Sequence, residues 1–501
     1  MNRAQTSRFL SAVIAFLALE ALLIGLAGGQ VAAADPARAL HLADLVLRLA
    51  AGQVPHLDVA TPLGGWSVAP MALLLRAGAT LGQAILWAPW GLAVLLVPAL
   101  LWIGWSRLTL WPALALVLAC LPLVLAPSLG GAGASVAPHQ IRWAWALVCL
   151  LLPVLLFPPV QGRAGDWADA AVLGLPMAAL AMIAPAAALA LLPACGLGLP
   201  LSGRARLLAR AGLLALAVLG LVTLVQGAGY WAALGRDLRS VVPAQGLGPV
   251  LLAPMQALAL IAALVAVWLL WAIPGRAASG STLLLCLPGF VYLAWRGGGA
   301  DPLWLAGLGV VLIGLPGPEA DPDRERILRS LGGIMLVLIA PVWLALAASP
   351  LRLGLPPEAG QVALLPGQAG ILAPAEAAGP VVVQRPWTGQ AQGPSFAGAP
   401  LEDCAVVTGV GTYVADLARD MGASAALDGQ MPLVADRIAP QWIWLDWAPP
   451  VARGSEAARH LLVPGCALDP GARAQVLAGI DPGAVVLVEE TPLYRLYRLA
   501  P

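Results

Sequence analysis

A chain of 501 residues that is 60% hydrophobic and only 11% charged, with a mean hydropathy of +0.86, reads as a polytopic membrane protein over most of its length. Its formal net charge of +1 argues against nucleic acid as a partner. All 27 basic residues are arginine, which excludes a P-loop or Schiff-base lysine, and with no HExxH, CxxC or GxSxG motif ATP-driven transport by this chain alone is not expected.

In chain order, Arg3 and Arg8 precede the apolar run Phe9–Ala27. Ala32 and Ala34 fit a small-x-small cleavage site, but the run exceeds the roughly 7–15 residues of a signal-peptide core, so an uncleaved first span is the favoured reading. Further spans are expected near 82–104, 108–127, 143–160, 210–226, 250–273, 282–296, 302–316 and 331–349. The stretch 169–200 is too long for one helix and is broken by Pro176, Pro185 and Pro193, so it reads as two short helices, making about eleven spans.

Arginine placement orients this bundle. Inner connections would hold Arg107, Arg163, Arg204, Arg206, Arg210, Arg276, Arg324, Arg326 and Arg329, and outer ones Arg38, Arg48, Arg142, Arg236 and Arg239. An odd number of spans then puts the C-terminal part outside. That part opens with a Pro/Gly/Ala-rich linker, 351–380, and continues from 381 to 501 as a small α/β domain. There "CAVVTGV" and "QWIWLDW" read as strands, "TYVADLARDMG" as a helix, Asp469-Pro470 as the start of another helix, and "AVVLVEE" and "LYRLYRL" as closing strands. Cys404 and Cys466 lie in this domain, either as a disulfide in an oxidising compartment or as two reduced buried thiols.

The densest chemistry of the membrane part, 1–350, lies in its first outer loop, 28–67. Asp35-Pro36 reads as an N-cap followed by proline at the first helical position. At about 100° per residue, Arg38, His41, Asp44 and Arg48 share one face and Leu42, Leu45, Val46 and Leu49 the other. Such a helix is expected to lie in the membrane interface with its polar face towards water. Gly52 ends it, and "GQVPHLDVATPLGG" returns the chain to the bilayer, carrying His56 and Asp58. Solvated polar decoration is one account of these residues. Carboxylates that deprotonate an acceptor hydroxyl, with arginines holding a phosphate leaving group, are the other.

Asp35 after the first span, an amphipathic helix, then Gly52, Pro55, His56 and Asp58 in a G-x-x-P-[H/Y]-x-D pattern and a return through Pro62 and Leu63 resemble the GT-C membrane glycosyltransferases. The motif covers the first 70 residues or so; beyond them only architecture is shared, namely the paired short helices and a soluble domain after the last span. The resemblance implies a GT-C-like helical membrane fold with a C-terminal extracytoplasmic α/β domain, in the bacterial inner membrane. It also implies transfer of a sugar from a polyprenyl-phosphate donor to a cell-envelope glycan, lipid or protein acceptor. Asp35 and Asp58 would then be the catalytic acids, and His41, Asp44, His56, Arg142, Arg236 and Arg239 substrate or phosphate contacts, of which the Arg236/Arg239 pair comes first for the donor phosphate. A divalent metal is compatible with this reading and not required by it. Many relatives have a second acid where this chain has Pro36, and their phosphate-contacting lysines have no counterpart, so arginine takes that part here. Glu20, inside the first span, and His139 beside Arg142 are further polar residues without an assigned role. A lipid or polysaccharide transporter, or a non-catalytic scaffold of a glycan-assembly complex, is the alternative.

Overall fold

The structure, a computed structural model, is described for residues 3–33, 35–61, 63–126, 139–160, 165–239, 247–296, 302–314, 322–354, 360–384, 395–401, 404–436, 438–450 and 458–499. Ala34, Pro62 and Arg163 lie outside the described residues.

Helix α1 (Arg3–Leu26) leads through a two-residue strand, β1 (Val31–Ala32), into the amphipathic α2 (Pro36–Ala50), with Asp35 as its cap. A short α3 (Ala69–Arg76) brings the chain back, and Arg76 donates from Nε and Nη2 to the last carbonyls of α2, Ala50 O at 2.9 Å and Leu49 O at 2.5 Å. The bundle continues with α4 (Leu81–Arg107), α5 (Leu110–Leu125), α6 (His139–Leu156), α7 (Asp166–Ile183) and α8 (Pro185–Pro193). It is completed by α9 (Leu199–Leu201), α10 (Ala205–Gln226), α11 (Gly229–Arg239), α12 (Leu247–Leu252), α13 (Pro254–Ala272), α14 (Ala277–Arg296), α15 (Trp304–Ile313) and α16 (Pro322–Ala348).

Among the described residues eight helices are long and apolar enough to cross a bilayer: α1, α4, α6, α7, α10, α13, α14 and α16. Three shorter apolar helical stretches, α5, α8 with its continuation to Leu201, and α15, fall where the remaining expected spans lie. The chain is a multi-pass membrane protein. Helix α6 is the axis of the bundle, buried on all sides, whereas α10 turns Leu216, Leu224 and Val225 outwards, as a helix does when lipid is its solvent. At the opposite end from α2, Arg107 forks onto Asp169 with contacts of 2.8 and 2.7 Å, and Trp102 Nε1 donates to the same carboxylate. Two buried charges thereby meet each other instead of hydrocarbon.

After α16 the chain does not run as a bare linker. Residues within 351–380 form β2 (Val362–Leu365) and β3 (Gln368–Ala373), an antiparallel hairpin, and β3 also pairs in parallel with β1, Val31 opposite Ile371 and Ala32 opposite Leu372. Apolar alternation in "QVALLPGQAGILA" around a Pro-Gly turn explains the hairpin. The rest holds β4 (Val382–Gln384), β5 (Ser395–Phe396), β6 (Ala399–Pro400), β7 (Ala405–Thr408), α17 (Val410–Ala423) and β8 (Leu433–Val434). Then follow α18 (Gln441–Leu445), β9 (His460–Pro464), α19 (Pro470–Ala478), β10 (Val485–Glu490) and β11 (Tyr494–Leu499). Its largest sheet has the order β10-β11-β9-β8. The expected strand at "QWIWLDW" is the helix α18, started after Pro440 and ended by Asp446 at φ +53°. Cys404 and Cys466 are joined by a disulfide.

The hairpin reaches the bundle because three glycines meet there. A Cβ on Gly82 would lie 1.8 Å from Gly29 O and 2.7 Å from Gly370 O, so the start of α4, the end of α1 and strand β3 touch backbone to backbone. We therefore expect Gly82→Ala to unseat the C-terminal part and speed its tryptic release by about tenfold or more. Gly91→Ala, on the same helix with nothing within 4 Å of its Cβ, should leave the rate unchanged.

Candidate functional site at the loop end of the bundle

Beneath α2 the helices leave a small cavity of about 30 Å³, walled by Glu20 of α1, Ile85 and Pro89 of α4, and His139 and Arg142 of α6. Val31, Leu42 and Leu353 close it from the loop and the C-terminal side. Its volume suits about two water molecules. Glu20, His139 and Arg142 are all more than nine-tenths buried. His139 Nε2 donates to Ser67 O at 2.6 Å and its ring packs 4.7 Å from that of Trp143. Among the described residues, Glu20 Oε2 and Arg142 Nε and Nη1 have no hydrogen-bond partner. Sequence reasoning placed Arg142 at headgroup level as an anchor or a phosphate contact; the structure puts it inside the bundle. Glu20, left without a role by the sequence, lines the same space, the signal for it being an isolated carboxylate in an apolar helix.

The loop that carries His56 is folded tightly on itself. Val54 N donates to Asp58 Oδ2 at 2.6 Å, Asp58 N to Val54 O at 2.9 Å, and His56 N to Val59 O at 2.8 Å. This puts His56 at φ +68°, a left-handed conformation that non-glycine residues rarely adopt. Its side chain is fully buried, with Nδ1 2.9 Å from Asp237 Oδ2, which also accepts Thr61 N at 3.1 Å. His56 Nε2 is buried and has no hydrogen-bond partner among the described residues. The Tyr230 ring stands edge-on at 5.4 Å, and burial pushes its hydroxyl up to about 12. Asp237 orients the imidazole as a carboxylate orients a general base.

One expectation about this end of the molecule is corrected, and the other candidates are placed. The polar face of α2 is only partly turned to water: Arg38 is exposed, but Asp44 and Arg48 are buried under the C-terminal part. Trp442 Nε1 donates to Asp44 Oδ1 at 2.7 Å, while Arg48 Nη2 and Gln53 Nε2 both donate to Pro450 O, at 3.0 and 2.9 Å. The reason is that this segment forms the helix α18, which turns Trp442 onto α2. Arg236 and Arg239 are exposed on α11 and line no part of the cavity; the buried charged residue of that helix is Asp237, to which the sequence reading gave no role. Asp35 caps α2, accepting Arg38 N at 3.1 Å and pairing with Arg38 Nε at 3.1 Å, outside the cavity wall. Asp58 serves its own turn, and His41 is half-buried on the covered face of α2. The structure thus separates the predicted set into Arg142 in the cavity, His56 with Asp237, and Asp44 at the domain contact. Among the described residues no three His, Cys, Asp or Glu side chains converge as metal ligands.

In the C-terminal part Asp436 is buried and accepts N–H groups from Ile438, Leu468 and Asp469, with burial raising its carboxyl to about 7. Comparison with protein-family models, curated proteins and solved structures found no match.

Burial raises the Asp44 carboxyl from its ordinary 3.8 to about 6, against the lowering effects of Arg48 and Trp442. A carboxyl that titrates higher when docked favours docking fully below its undocked value and loses that contribution as pH rises through about 6. Thermal unfolding followed from pH 4.5 to 7.5 should therefore show wild-type stability falling across that window. Asp44→Asn, which keeps an acceptor for Trp442, should show a flatter profile. Asp237→Ala strands His56 Nδ1 and Thr61 N and should cost about 2–4 kcal/mol, read as a lower unfolding midpoint; Asp237→Asn should recover most of it.

Proposed function

We propose that this chain is a membrane glycosyltransferase that takes a sugar from a polyprenyl-phosphate donor and passes it to a cell-envelope glycan, lipid or protein acceptor. The observation that carries this reading is Arg142. A guanidinium buried at the end of a membrane bundle, with Nε and Nη1 unpartnered among the described residues and a cavity beside it, is suited to a phosphate oxyanion. The donor phosphate, not the sugar, would be held there, and the cavity must widen to admit it.

Transfer breaks the bond between the anomeric carbon and the phosphate oxygen and forms one to the acceptor oxygen. The acceptor proton passes to a carboxylate, and the arginine stabilises the charge left on the phosphate. Asp35, half-exposed at the mouth of the loop, is the base of this proposal, and the His56–Asp237 pair holds the loop that carries the acceptor side. The disulfide and the arginine distribution favour an extracytoplasmic C-terminal part, in a bacterial inner membrane. A scaffold without chemistry is favoured by one observation: Asp35 is engaged by capping and by Arg38.

Native mass spectrometry of the detergent-purified protein with added polyprenyl phosphate tests the donor site. The adduct should form with wild type and with the Arg236→Ala/Arg239→Ala variant and be lost in Arg142→Gln. An adduct that survives Arg142→Gln, or none in wild type, would overturn the assignment. Asp35→Asn keeps a competent N-cap but removes the charge, and should lower sugar transfer by about 100-fold or more. Unchanged transfer would move the base elsewhere, and no transfer by wild type would favour the scaffold.

A further inference from the structure

A second cavity, of about 150 Å³, opens in the C-terminal part where β9 begins. That volume is close to the roughly 150 Å³ that holds a benzene ring in a protein interior, so it accepts a single six-membered ring. Its lining residues are of two kinds. Met431, Pro432 and Pro449 present apolar surface, on which the C–H face of a sugar ring can lie. Gln430, Arg459 and His460 present donors. No carboxylate lines it among the described residues, and Arg498 stands opposite His460 in the β11–β9 register, adding a third basic group at that end of the sheet. Burial first, and then Arg498 and Arg459, depress the His460 imidazole.

We propose that this cavity binds one sugar residue bearing an oxyanion, with Arg459 gripping the anion and the proline wall carrying the ring. A guanidinium fork pairs with a carboxylate or a phosphate in two parallel hydrogen bonds, and a neutral ring has nothing to offer it. The site is joined through the chain to the contact with α2: Pro449 of its wall precedes Pro450, whose carbonyl is held by Arg48 and Gln53 from α2 and the first loop. Occupancy of the cavity and the seating of the C-terminal part on α2 therefore share a segment of backbone. The proposal is independent of the transfer reaction, because it asks only for binding by the C-terminal part.

The test uses the full chain in detergent, with glucuronate, glucose 1-phosphate and glucose as probes, by isothermal titration and saturation-transfer NMR. At least one of the two anions should bind saturably, and which one does tells a carboxylated from a phosphorylated residue. Glucose should not bind at the same concentrations. Arg459→Gln, at an exposed side chain, should weaken the anion about tenfold or more, while Arg419→Gln on the exposed face of α17 should not change it. Failure of both anions to bind, equal binding of glucose, or full affinity in Arg459→Gln would each overturn the proposal. A working donor site at Arg142 rescues none of these outcomes, and a failed one produces none of them.

Discussion

The close approach of three backbones at Gly29, Gly82 and Gly370 is the constraint on which the rest of this molecule hangs. Only where no side chain intervenes can β3 lie against the first turn of α4 and pair with the two residues of β1. That contact fixes where the C-terminal part sits, and through it what happens to α2. A helix that carries Arg, His and Asp on one face is stable at a membrane surface by itself. Here part of that face becomes an interior, with Trp442 and the Pro450 carbonyl supplying the partners that water would have supplied. Burial of Asp44 beside Arg48 makes this contact sensitive to proton activity, because removing two charges from water costs more than their mutual attraction at 3.7 Å returns.

Buried polar groups in the bundle are of two kinds, those satisfied by neighbours and those, such as Gln256 and Trp304, that keep an atom without a partner among the described residues. Arg107 is forked onto Asp169, Gln140 donates to Ile183 O, and His139 to Ser67 O, so most buried groups are satisfied by neighbours. Around the cavity Glu20 and Arg142 also keep atoms without partners among the described residues. In a low-dielectric interior that arrangement is costly, and a protein retains it where a ligand or water completes it. The His56 turn shows the same economy in backbone form: a positive φ held by three local hydrogen bonds and by Asp237.

How much of this was legible beforehand depended on the range of the interaction. Apolar runs locate α1, α4, α5, α6 and the later bundle helices because a helix in lipid needs nothing beyond its own residues to satisfy its backbone. The Asp35-Pro36 start of α2 and the strands β10 and β11 were readable for similar reasons, since capping and alternation are local. Short segments fared worse. "QWIWLDW" alternates as a strand does, yet Pro440 and the left-handed Asp446 bound a single helical stretch, and a run of that length has no period long enough to decide. The glycine-rich stretch 351–380 looked like a tether because its pairing partner, Val31–Ala32, lies more than three hundred residues away.

The sequence by itself determined that this protein is a multi-pass helical membrane protein with a sheet-containing C-terminal part, and which residues carry its scarce polar chemistry. Those are properties of composition and local periodicity, set by the solvent around each segment. Only the tertiary structure decided which of those residues meet. His56 finds Asp237 across 181 positions, Asp44 finds Trp442 across 398, and Arg142 shares a cavity with Glu20 from another helix. Such pairings rest on where helices cross and where backbones can touch, and neither is encoded in any window of neighbouring residues.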